Sequence, residues 1–178
     1  MTPTRTGDAG FTLVELLVAA TVFTLVAGAV INAIVASSAL NRTNRESVLA
    51  MDAATSMVER LKATPLEEVF ARFDASAGND PAAGVSPGAS FEVAGLEPQT
   101  GDADGFVGGI AFPGDGAWLR EDAVDADLGM PRDLDGDDAV DALDHSSDYR
   151  LLPVRVSVRW TGKTGARAVE IVTVLGDL

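Results

Sequence analysis

The chain has 178 residues, 13 of them basic and 27 acidic, for a net charge of −14, with one histidine and no cysteine. That length suits one anchored domain rather than two globular ones. The acid excess excludes a nucleic-acid surface, which needs Lys and Arg against phosphate, and the lack of cysteine excludes disulfides, thiolate zinc centres and a cysteine nucleophile.

Residues 1–10 read as a polar leader ending in the small Gly10, with Arg5 and Asp8 as its charges. Beyond Glu15 the chain turns apolar: residues 16–36 are 21 positions without a charged side chain, dominated by Leu, Val, Ala, Ile and Phe. A bilayer core of about 30 Å takes about 20 residues of helix, and a helix satisfies its own backbone in hydrocarbon. The run is longer than the core of a secretory signal, about 7–15 residues, and its small-residue cut point lies before it rather than after. Residues 16–36 are therefore a transmembrane candidate. Glu15 is the anomaly. An intramembrane carboxylate costs about 2.5–3.5 kcal/mol on insertion scales and points to function with a cationic partner.

The run Gly10-Phe11-Thr12-Leu13-Val14-Glu15-Leu16 resembles the processing site of type IV pilins and type II secretion pseudopilins. The resemblance implies that a prepilin peptidase cuts after Gly10 and methylates the amine of Phe11, so that residues 1–10 are removed and Glu15 becomes the fifth residue. It further implies that Glu15 serves assembly by attracting the charged N-terminus of a neighbouring subunit, an attraction strengthened by a low-dielectric setting. The implied partners are other pilin or pseudopilin subunits, the peptidase and an inner-membrane assembly platform. The implied location is the inner membrane, single-pass, with an extracytoplasmic C-terminal domain and assembly into a pilus or pseudopilus.

Past the apolar run the pattern becomes amphipathic. Val48, Met51, Thr55, Val58 and Leu61 recur at three- and four-residue spacing among charged neighbours. No Pro or Gly stands between residues 29 and 64, and Pro65 is the first proline after the leader. The pattern predicts one helix over residues 11–63, its first half (11–40) for the membrane and assembly. Residues 41–74 are predicted as its amphipathic continuation plus a short helix over 66–73. Residues 75–90 are rich in Gly, Ala, Ser and Pro and read as a loop.

The remainder, residues 75–178, reads as a β-rich domain. Short strands are predicted over 90–95, where Phe91 and Val93 alternate, and over 106–112, weakened by Gly108 and Gly109. Val154, Val156, Val158 and Trp160 alternate with Arg155, Ser157 and Arg159. Residues 161–165 supply a turn, and 168–175 are apolar and β-branched. This predicts an antiparallel hairpin with one buried face, Arg155 and Arg159 reaching Glu170 across the strands. The fold class is α+β: a long N-terminal helix packed on a small antiparallel sheet, as the pilin resemblance also implies.

Between these strands, residues 102–148 form an acidic loop with fourteen carboxylates against Arg120 and Arg132. Its densest part holds Asp133, Asp135, Asp137 and Asp138, then Asp141 and Asp144. Calcium takes six to eight hard oxygens, often on a Gly-bearing loop, which makes these six the candidate calcium ligands. Asp133, Asp135 and Asp137 space like an EF-hand start, but Gly136 falls at the fourth position instead of the sixth, and Asp144 replaces the glutamate at the twelfth. The single histidine, His145, adjoins Ser146, Ser147 and Asp148. Triads are assembled from separated segments, so His145 reads as a polar loop residue and no enzymatic activity is expected.

The function expected is that of a minor pilin, a structural and assembly subunit of a type IV pilus processed after Gly10, with no nucleic-acid partner. The alternatives are a minor pseudopilin of a type II secretion system and, in a different class, a membrane-tethered calcium-dependent binding module.

Overall fold

The computed structural model describes residues 12–76, 88–102, 104–163 and 165–176. Helix α1 (Leu13–Ala63) is followed by α2 (Leu66–Phe73) and four strands, β1 (Ser90–Phe91), β2 (Gly108–Ala111), β3 (Leu151–Gly162) and β4 (Gly165–Gly176). The strands form one antiparallel sheet in the order β1-β2-β3-β4. The α+β layout expected from the sequence is the one observed. The chain divides within α1 into two compact units, Met1–Arg42 and Thr43–Leu178.

In the first unit, the part of α1 up to Arg42 contains a stretch long and apolar enough to cross a membrane, none of it buried within the chain. Three of its polar side chains turn inward on the helix itself. The hydroxyls of Thr21, Thr24 and Ser38 donate to the carbonyls four residues back, at 2.8, 2.8 and 2.9 Å. They therefore present little unmet polarity to an apolar surrounding.

In the second unit α1 buries Glu46, Ala50, Ala54, Met57, Val58 and Leu61. This corrects the expected stripe: Val58 and Leu61 lie inside, but Val48 and Met51 are about half exposed. In the place of that pair the inward positions are small ones, Ala50 and Ala54. Both are fully buried and share one core with Leu152, Val154, Val156, Val158 and Trp160 of β3. Helix α2 adds Val69, Phe70 and Phe73. Phe70 meets Phe112 edge to face at 5.3 Å, a favoured aromatic geometry. Tyr149 ties α2 to the start of β3: its hydroxyl donates to the Leu66 carbonyl and accepts from the Phe70 amide at 3.2 Å.

The β3–β4 hairpin runs longer than expected, since Thr161 and Gly162 pair with Ala166 and Gly165 and leave a two-residue connection. Glu170 stands opposite Ser157, diagonal to both arginines, and lies 3.5 Å from Arg155 and 3.6 Å from Arg159. Pro153 is tolerated inside β3 because β2 covers only Arg155 to Val158. The two short strands are shorter than expected. Strand β1 stops at Phe91, because the Leu96 amide turns back to the Val93 carbonyl and Gly95 takes a φ of +90°. Strand β2 forms despite its glycines. The Phe91 ring lies over Gly108, where a Cβ would stand 2.3 Å from the ring, so the ring supplies the packing that the glycine lacks.

Candidate functional site

At the head of α1, Thr12 precedes the first helical residue. Its hydroxyl accepts from the Glu15 amide at 3.2 Å, and its carbonyl accepts from the Leu16 amide at 3.1 Å. Thr12 is thus the N-cap and Glu15 the third helical residue, the spacing of a capping box. This places an exposed carboxylate in the first turn, where the helix dipole favours negative charge. Gly10 and Phe11 lie outside the described residues, as do the rest of the leader and residues 77–87 of the expected loop.

The acidic segment is anchored from below by Leu119, Leu128, Met130 and Leu134, all buried. It is organised around Glu121, a carboxylate only 1% exposed. Oε1 accepts from the amides of Leu134 (2.5 Å) and Asp135 (3.3 Å), and Oε2 accepts from that of Asp141 (3.2 Å). One side chain so gathers two strands of loop backbone that have no sheet to satisfy them.

His145 sits in a loop as expected, yet it is 5% exposed and ringed by acids. Nε2 is 3.1 Å from Asp141 Oδ1 and 3.8 Å from Glu121 Oε2, while Nδ1 is 3.3 Å from Asp148 Oδ1 and 3.6 Å from Asp135 Oδ2. Burial pulls the imidazole pKa down. The Asp141 hydrogen bond and the charges of Glu121, Asp148 and Asp135 outweigh burial and hold it above its ordinary value. Asp135 is pushed up, first by burial and then by the charges of Asp137 and Glu121.

The six candidate ligands separate. The carboxylates of Asp133, Asp135 and Asp137 come within 4.8 Å of one another. Asp133 accepts from the amides of Gly136 (2.6 Å) and Asp138 (2.9 Å), and these bonds, the Gly136 one foremost, hold its carboxyl below the usual range despite partial burial. Asp138 contributes a backbone shape, a φ of +65°. Asp141 turns to the Leu143 amide at 2.7 Å and to His145. Asp144 accepts from the amides of Leu119 and Ser146, each at 3.1 Å, fastening the loop's two ends.

A family model described as the prokaryotic N-terminal methylation motif matches residues 5–31. The chain carries the type IV pilin and pseudopilin signature. No curated protein and no solved structure matches the chain. The signature covers Gly10, Phe11, Thr12 and Glu15 together with most of the apolar run, and it implies assembly with other pilin subunits and processing by the prepilin peptidase. In this chain the N-terminal residues were legible as a linear motif. Glu121 was not: it lies twelve residues or more from the aspartates it joins, with nothing local to mark it. The central place of His145 was also hidden: Asp141 and Asp148 stand within four residues of it, but Glu121 and Asp135 reach it only when the loop folds.

Proposed function

We propose that the chain is a minor pilin, a structural subunit of a type IV pilus, cut after Gly10, methylated on Phe11 and packed into a filament by α1. The observation that carries this reading is the continuity of three features. The methylation motif over residues 5–31 runs directly into a capped helix. That helix exposes Leu16, Leu17, Val22, Phe23, Ile31 and Ile34 on all sides, each more than half exposed. Apolar surface of that extent needs lipid or neighbouring helices to cover it. Glu15 sits in the first turn, where the amine of a neighbouring subunit can neutralise it. The work of the chain is assembly, not catalysis, at the inner membrane and then in the filament.

The test is the intact mass and N-terminal residue of the protein taken from its native membranes. N-methylated Phe11 is expected. A chain still starting at Met1, or cut near Ser37, would overturn the reading. Glu15→Leu then separates filament subunit from simple tether: a subunit inserts but fails to assemble, whereas a tether loses nothing.

For the extracytoplasmic domain we propose calcium at Asp133, Asp135 and Asp137. Their clustered oxygens suit a hard cation, and Asp138 adopts the left-handed turn that glycine supplies at the sixth position of an EF-hand loop. Calcium should raise the unfolding midpoint of the protein, and Asp137→Asn should remove that response.

A further inference from the structure

The histidine side of the acidic segment holds a second arrangement, distinct from the calcium loop and made from different chemistry. A ring nitrogen of His145 and carboxylate oxygens of Glu121 and Asp135 lie within 4.8 Å of one another. The carboxylate of Asp141 is an acceptor, so the 3.1 Å contact requires the proton on Nε2. That leaves Nδ1, which is buried and takes no hydrogen bond. It faces Asp148 Oδ1 at 3.3 Å and Asp135 Oδ2 at 3.6 Å. A nitrogen lone pair aimed at two anions without a donor between them is unfavourable, and burial makes it more so. Something positive belongs there. The spacing is informative: ligand atoms about 2.0–2.1 Å from a shared tetrahedral ion stand about 3.3–3.4 Å apart, close to these two distances.

We propose that Nδ1 of His145, with the carboxylates of Asp135 and Asp148 that face it, binds a divalent transition-metal ion of the zinc class, while Glu121, held by backbone amides on the Nε2 side, adds negative charge beside it. Imidazole nitrogen selects such ions over calcium, and carboxylates complete the set. Asp141 is the outer partner that fixes the tautomer, as carboxylates do behind metal-bound histidines. Asp135 serves both sites with different oxygens: Oδ1 accepts from the Asp137 amide at 3.0 Å, on the calcium side, while Oδ2 faces His145. The inference does not depend on filament assembly.

The chain has a single histidine, so one ring reports the site. The full ¹⁵N-labelled chain in detergent micelles is titrated with zinc chloride in metal-free buffer, and in parallel with calcium chloride. Zinc is expected to bind one ion per chain and move the Nδ1 resonance, with Nε2 remaining protonated. Asp148→Asn, at a side chain 57% exposed and so tolerant of change, should weaken zinc roughly 10-fold or more, and His145→Gln roughly 10- to 100-fold. Asp137→Asn should leave zinc binding intact while removing the calcium response. The proposal is overturned if saturating zinc leaves the ring unmoved, if both ring nitrogens stay protonated, or if Asp148→Asn binds zinc as the parent does.

Discussion

Tyr149 shows how one hydroxyl can join two elements. It reaches into the first turn of α2, donating to Leu66 and accepting from Phe70, from a side chain 7% exposed. Tyr149→Phe keeps the ring and removes both bonds, so a loss of about 1 kcal/mol in chemical denaturation is expected; an unchanged midpoint would show that the hydroxyl contributes nothing. Arg155 does comparable work for the acidic loop, holding Asp125 at 2.6 and 2.8 Å. Burial pushes the Asp125 carboxyl up, but the Arg155 hydrogen bonds and the amides of Leu128 and Asp127 more than offset it, leaving the pKa below its ordinary 3.8. A depressed folded pKa gives stability that is present above the unfolded value and lost as pH falls through the folded one. Asp125→Asn should therefore be less stable than the parent near neutrality, and the gap should close below about pH 4. Urea melts from pH 2 to 7 on both proteins read this directly.

At the scale of elements, pattern decided what pattern can reach. The end of α1 at Ala63, the break at Pro65 and the extent of α2 follow from a local rule about proline. The core face of β3 follows from period-two alternation. The inward face of α1 followed only at Val58 and Leu61, because two of its other positions are alanine. Large residues at Val48 and Met51 outweighed small ones in any hydrophobic count, yet the core takes Ala50 and Ala54 and leaves the larger pair about half exposed. Strand β2 was expected over 106–112 and is present, but its glycines read as weakening it until the Phe91 ring was placed over Gly108. Gly108→Ala should displace that ring and destabilise the domain by about 1–3 kcal/mol. The same change in a Phe91→Ala background should cost clearly less, a non-additivity that a double-mutant cycle measures. Full additivity would remove the ring from the explanation.

For the whole molecule, the two units of the chain divide between Arg42 and Thr43. The core cluster draws all its members from the second unit. A fragment of residues 43–178 is therefore expected to fold in water without detergent, with near-UV circular dichroism from Trp160 and Tyr149 and a cooperative melt. A fragment that aggregates or melts without cooperativity would show that the apolar part of α1 is needed for folding as well as for assembly. Because the acidic loop lies wholly within this unit, the fragment should retain its metal responses.

The sequence by itself determined the processing motif, the apolar span, the long helix and its stop, and the terminal hairpin. Each is a matter of neighbours along the chain: a residue run, a periodicity or a turn residue within a few positions. Only the tertiary structure decided which face of α1 is buried, why a glycine-bearing strand joins the sheet, and how the acidic loop is organised. Those depend on contacts between residues far apart in sequence. Glu121 binding the amides of Leu134, Asp135 and Asp141, and His145 closing among Asp135, Asp141 and Asp148 beside it, are products of loop closure. Asp141 and Asp148 stand within four residues of His145, but no local spacing encodes the approach of Glu121 and Asp135, since burial converts scattered charges into a single electrostatic unit only after the chain has folded around them.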